Sequence, residues 1–148
     1  MRRQLAKLLG PGEPNVPDPE SPSRRTVIVR LAPQAAIPAW LEISARPLVS
    51  ISFSANETSI VCPTNQVPDG QRTEGPWRAF EIDGPIDFAL TGVLASVLNP
   101  LAAAGLGIFA LSTYDTDWIL VRTDKLAAAG AVLAAHFRIR VAPSPVLP

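Results

Sequence analysis

At 148 residues, 47% of them hydrophobic, the chain can form one compact domain or two small units sharing a core. Lys+Arg and Asp+Glu both number 13, which argues against a nucleic-acid surface, since that needs clustered positive charge. A single cysteine, Cys62, excludes an intramolecular disulfide and a zinc site made of several thiolates, and suits a reducing cytoplasm.

The opening "MRRQLAKLLGPGEP" is basic, but its apolar part is too short and broken for a secretory segment. Residues 11 to 25, "PGEPNVPDPESPSRR", hold five prolines and almost no apolar side chains, too little burial to offset ordering. Residues 1–25 therefore read as a mobile leader. "TVIVRL", Thr26 to Leu31, is β-branched and short, a strand. In "PQAAIPAWLEI", Pro38 can open a short helix carrying Trp40 and Leu41. "LVSISFSANETSIVCP" reads as a hairpin. Val49, Ile51 and Phe53 alternate with serines, Ala55-Asn56-Glu57 turns, and Thr58 to Cys62 returns. "PTNQVPDGQRTEGP" reads as a long polar loop.

Trp77 to Asp83 is the next strand, broken by Gly84-Pro85. From Asp87 to Gly105 the apolar residues recur at three and four, with Asp87 as N-cap and Gly105 just past the end. Pro100 predicts a kink or a fresh start. "LGIFALSTY" and "DWILVRT" are strands around a two-aspartate tip. Asp124 caps a last helix with Leu126, Gly130, Leu133 and Phe137 along one face, and "RIRVA" closes as a strand. The best membrane-helix candidate, "LTGVLASVLNPLAAAGLGIFAL", is interrupted by Asn99-Pro100 and by glycines, so no membrane span is expected.

From Trp77 the order is strand, helix, strand, strand, helix, strand. That is the ferredoxin-like βαββαβ plan, an α+β fold with helices on one face of an antiparallel sheet. The first half follows the same order, with its second helix replaced by the loop. The expected organisation is thus a leader at 1–25, a shortened unit at 26–76, a complete unit at 77–142 and a flexible tail at 143–148.

Two loops carry candidate chemistry. "EIDGPIDF", Glu81 to Phe88, joins a strand to a helix whose first N–H groups favour an anion, and Gly84 lets a ligand approach. "STYDTDWILV", Ser112 to Val121, offers hydroxyls and two carboxylates that can hold an ammonium group. A free amino acid carries both complementary groups. Asp115 and Asp117 are too few oxygen donors for a divalent ion, and no metal or cofactor is expected. His136 reads as a surface or helix-end residue and Cys62 as a buried structural thiol, so no nucleophile–base pair is in view.

The stretch from "DGPIDF" through "PLAAAGLGIFALSTYDTDWILV" to "KLAAAGAVL" resembles the ACT domain, a regulatory module of amino-acid-binding proteins, and "ANETSIVC" is similar to the hairpin of a leading, shortened ACT unit. The resemblance implies side-by-side pairing of units with ligand at their interface. Its contacts would be Asp83, Gly84, Pro85, Ile86 and Asp87 with Ser112, Thr113, Asp115 and Asp117, and Glu57 and Ser59 would face them from the first unit. Three readings follow: a non-enzymatic amino-acid-binding regulatory protein, forming a homodimer and acting on an unidentified protein; a ligand-free dimerisation module; and an enzyme using the acidic pair.

Overall fold

A computed structural model describes residues 25–45 and 47–139. Their contacts form two compact units that divide after residue 79.

The first unit contains β1 (Thr26–Leu31), β2 (Ser50–Phe53), β3 (Thr58–Pro63) and most of β4 (Thr73–Glu81). Its strands are antiparallel and ordered β2-β3-β1-β4. Period-two alternation sends Val27 and Val29 of β1 into a core with Leu41, Ile60 and Cys62. β3 runs between β2 and β1 and is buried at all but one position, as an interior strand should be. The turn between β2 and β3 closes when Ser54 N–H donates to the Glu57 carbonyl at 2.9 Å.

Two expectations for this unit fail. No helix forms around Pro38. Leu41 N–H reaches the Pro38 carbonyl in a single turn, and Leu41 is buried from that turn rather than from a helical face. The expected long loop is shorter, because β4 begins at Thr73 rather than Trp77. Gly75-Pro76 looked like loop chemistry. Here it sits in a bulge where the register against β1 slips between Thr26 and Ile28, and Gly75 takes φ +147°.

The second unit contains the end of β4, then α1 (Val93–Ala103), β5 (Ile108–Ser112), β6 (Asp117–Arg122) and α2 (Leu126–Ala134). Its strand order is β4-β6-β5. Val97 and Leu101 of α1 and Ala129 and Leu133 of α2 meet Ile119 and Val121 of β6 and Ile82 in one core. Both helices therefore cover the same face of β6. α1 ends as the sequence predicts. Gly105 adopts φ +71°, its N–H bonds the Ala102 carbonyl, and Leu106 N–H bonds the Leu101 carbonyl, the paired bonds of a Schellman end.

The helix starts need correction. α1 begins at Val93 behind a left-handed Gly92, not at Asp87. Asp87 instead closes its own turn: its Oδ1 accepts from Ala89 N–H at 2.8 Å and its carbonyl from Leu90 N–H at 2.9 Å. The helix runs through Pro100 without a fresh start. Asp124 does not cap α2. It lies in a short 3₁₀ turn, Thr123–Lys125, that leads into the helix. Arg138 and Ile139 carry no strand, and the rest of the expected closing strand lies outside the described residues, as do the tail and the leader apart from Arg25.

Candidate functional site

The sequence 82–90 and the hairpin 112–117 are fastened together by backbone. Ile82 N–H donates to the Asp117 carbonyl at 3.0 Å, and Ile86 N–H to the Asp115 carbonyl at 2.7 Å. Thr116, 6% exposed, adds its hydroxyl to the Ile82 carbonyl. Gly84 explains why the strands can approach so closely. A Cβ there would stand 2.8 Å from the Asp115 carbonyl oxygen and 3.1 Å from Thr116 Cβ. The hairpin itself is held by Thr113, whose N–H and hydroxyl both donate to the Thr116 carbonyl, and by Ser112 Oγ donating to Asp117 Oδ1.

The joined loops border an open groove of about 300 Å³. Of the residues expected at a site, Ile86, Asp87, Ser112, Thr113, Asp115 and Asp117 line it. Asp83, Gly84 and Pro85 are not among the lining residues, and Gly84 acts from behind as the contact point of the two loops. Glu57 and Ser59 belong to the first unit, where Glu57 Oε2 pairs with Arg30 Nε at 3.1 Å and Ser59 is registered against Arg30.

Sequence reasoning missed several lining residues: Phe88, Leu90, Gly92, Val93, Leu94, Tyr114 and Thr116. For Leu90, Gly92, Val93 and Leu94 the misplaced helix start is the cause. With α1 beginning at Val93, its first amides lie at the groove and not in the Asp83–Asp87 loop. The first intrahelical bond runs from Ser96 N–H to the Gly92 carbonyl, so the amides before it point out of the N-terminus with the positive end of the helix dipole. Glycine at 92 with φ +77° was the signal that could have marked the cap.

One side of the groove thus carries helix amides, and the other carries Ser112, Thr113 and carboxylates. Among the described residues no group of three His, Cys, Asp or Glu side chains is placed to hold a metal ion. His136 is exposed just past the end of α2. Cys62 is fully buried, and burial pushes its thiol up to about 11. No helix among the described residues is long and apolar enough to cross a membrane.

The ACT domain family model matches residues 72–135, the stretch that contains the groove, and a second model, described as an N-terminal domain, matches residues 27–70. The chain belongs to the ACT-domain family. Its α+β architecture is the ACT fold, preceded by a partial ACT-like unit. In sequence it is 35% identical over 74 residues to the cytosolic arginine sensor for mTORC1 subunit 1 of Bos taurus. The match takes in 47% of this chain and only 22% of that protein. Among solved structures, protein Atu0741 of Agrobacterium tumefaciens is 36% identical, with a TM-score of 0.73 over 81% of this chain and 89% of that one. The aspartate kinase of Clostridium acetobutylicum shares the fold at 12% identity and TM-score 0.51, covering 77% of this chain and 32% of that one.

Proposed function

We propose that this ACT-domain protein is a non-enzymatic, cytoplasmic regulatory protein that binds a free amino acid in the groove of its second unit. The observation that carries the reading is the two-sided chemistry of that groove. The amides of Gly92, Val93 and Leu94 at the start of α1 suit a carboxylate. Ser112, Thr113 and Asp117 suit an ammonium or a polar side chain. The backbone bonds from Ile82 and Ile86 hold the Ser112–Asp117 side of the groove against the 82–86 segment before a ligand arrives, which limits the ordering cost on that side. Glu57 already pairs with Arg30, so the ligand contacts are assigned to residues of the second unit. An aspartate at the groove favours a basic amino acid such as arginine or lysine, and the similarity to a cytosolic arginine sensor supports the same choice. Binding would act by shifting the association of ACT units in a homodimer, or by changing a surface read by a regulated protein.

A second reading, a ligand-free dimerisation module, draws on β5. It is the last strand in its unit's order, and an edge strand is a ready template for pairing. A thermal-shift screen against the twenty free amino acids at millimolar concentration separates the two. A ligand at a hundredfold excess over its Kd stabilises the folded state by about 2.7 kcal/mol. A shift with one or two amino acids is the expected result. If none shifts the transition and the protein is still dimeric, the module reading replaces the sensor reading.

A further inference from the structure

We infer that Phe88 and Tyr114 form an aromatic wall that selects a planar cation, so that the groove takes an amino acid with a guanidinium side chain. The inference rests on the functional reading above and narrows it.

The two rings come from different loops, Phe88 from the turn after β4 and Tyr114 from the hairpin tip, and both line the groove. Their centroids are 5.2 Å apart at an interplanar angle of 68°, edge to face. Yet Phe88 is 76% exposed and Tyr114 82% exposed, so neither ring contributes appreciably to the core. Single exposed apolar side chains are common. Two aromatic rings meeting at the mouth of a cavity are a different arrangement. The edge-to-face pairing occupies one face of one ring and an edge of the other, and the remaining faces are open to a ligand.

Charge gives the sign of that ligand. Among the described residues, every charged side chain lining the groove is an aspartate: Asp87, Asp115 and Asp117. Asp87 and Asp117 each accept one local bond, from Ala89 N–H and from Ser112 Oγ, and leave their second carboxylate oxygen for a ligand. An acidic side chain would meet the field of these carboxylates unfavourably, and a neutral one would gain nothing from it. The negative face of an aromatic ring adds to the attraction for a cation. A guanidinium satisfies both features together. It stacks flat on a ring while its N–H groups point outward in plane toward carboxylates, and it sheds water more readily than an ammonium. Lysine offers a compact, strongly hydrated charge with no plane to stack.

The test is calorimetric titration of the full chain with arginine, lysine and citrulline, the last having the shape of arginine without its charge. The wild type is expected to bind arginine at least about tenfold tighter than citrulline, and tighter than lysine. Phe88→Leu and Tyr114→Leu keep apolar bulk but remove the π face. Each is expected to weaken arginine about three- to fivefold and to leave citrulline unmoved, while Tyr114→Phe retains wild-type affinity. Because both rings are exposed, the melting temperature without ligand should not change in any variant. Equal binding of arginine and citrulline, or unchanged arginine affinity in both leucine variants, overturns the aromatic wall while the amino-acid-binding reading stands. Failure of every amino acid to bind overturns that reading first.

Discussion

Gly84→Ala tests the closest contact in the site. The added methyl would lie 2.8 Å from the Asp115 carbonyl oxygen, where ordinary van der Waals contact begins at 3.4 Å. The obstacle is backbone, so the hairpin and the 82–86 segment must separate by roughly half an ångström to relieve it. That movement stretches the 2.7 Å bond from Ile86 N–H to the same oxygen. Overpacking of this kind costs about 1–3 kcal/mol, and a weakened backbone hydrogen bond adds about 0.5–1 kcal/mol. For a chain of this length the sum lowers the melting temperature by about 5–10 °C. Gly130→Ala is the matched control. Gly130 sits inside α2, and a Cβ there would meet nothing within 4 Å. Alanine should gain about 0.5–1 kcal/mol in helix propensity and raise the transition slightly. Thermal denaturation followed by circular dichroism reads both proteins. A Gly84→Ala protein melting within about 1 °C of the parent would refute the argument that the two loops are in backbone contact at this point.

Three further outcomes are expected. Thr116→Val keeps the shape of a side chain that is 6% exposed but removes its hydroxyl from the Ile82 carbonyl, so denaturant titration should show a loss of about 1–3 kcal/mol. Asp117→Ala removes the acceptor of Ser112 Oγ at the hairpin end, which should cost under about 1 kcal/mol of folding stability while abolishing the ligand-induced thermal shift. A large fall in stability without ligand would instead make Asp117 a structural turn residue. Burial raises the Cys62 thiol from 9.0 to about 11, so its contribution to stability is complete below pH 9 and declines as pH rises toward 11, where only the unfolded chain ionises readily. Stability curves at pH 8 and pH 10.5 should differ in that direction, and a Cys62→Ser chain should lose the difference. Thiol reagents at pH 8 should label Cys62 only after unfolding.

Much of the strand framework was legible because its pattern is local. Val27-Ile28-Val29 and Ile119-Leu120-Val121 are short apolar, β-branched-rich runs whatever they pack against, and Gly105 announces a helix end by itself. The errors arose where two local signals competed. Asp87 has the chemistry of a helix cap, but its side chain and carbonyl close a separate turn, and Gly92 takes over as the cap. Gly75-Pro76 has loop composition and becomes a bulge because β1 supplies partners on both sides of the slip. For the groove, the polar residues at 112–117 were visible as turn chemistry. The aromatic pair was not, since nothing in the sequence brings Phe88 next to Tyr114 until the Ile86–Asp115 bond draws the loops together.

The hairpin turn of the second unit has a twin in the first. Ser54 uses both its N–H and its hydroxyl on the Glu57 carbonyl, just as Thr113 does on the Thr116 carbonyl. After each hairpin a threonine, Thr64 or Thr123, opens a one-turn 3₁₀ segment. The same scaffold therefore carries two different tips: "ANE", tied down by the Arg30–Glu57 ion pair, and "YDT", left facing the groove. Where two copies of a part coexist in one polypeptide, one can keep the structural duty while the other changes its surface. Exchange of the two tips becomes a natural genetic experiment, transplanting recognition without redesigning the turn that displays it.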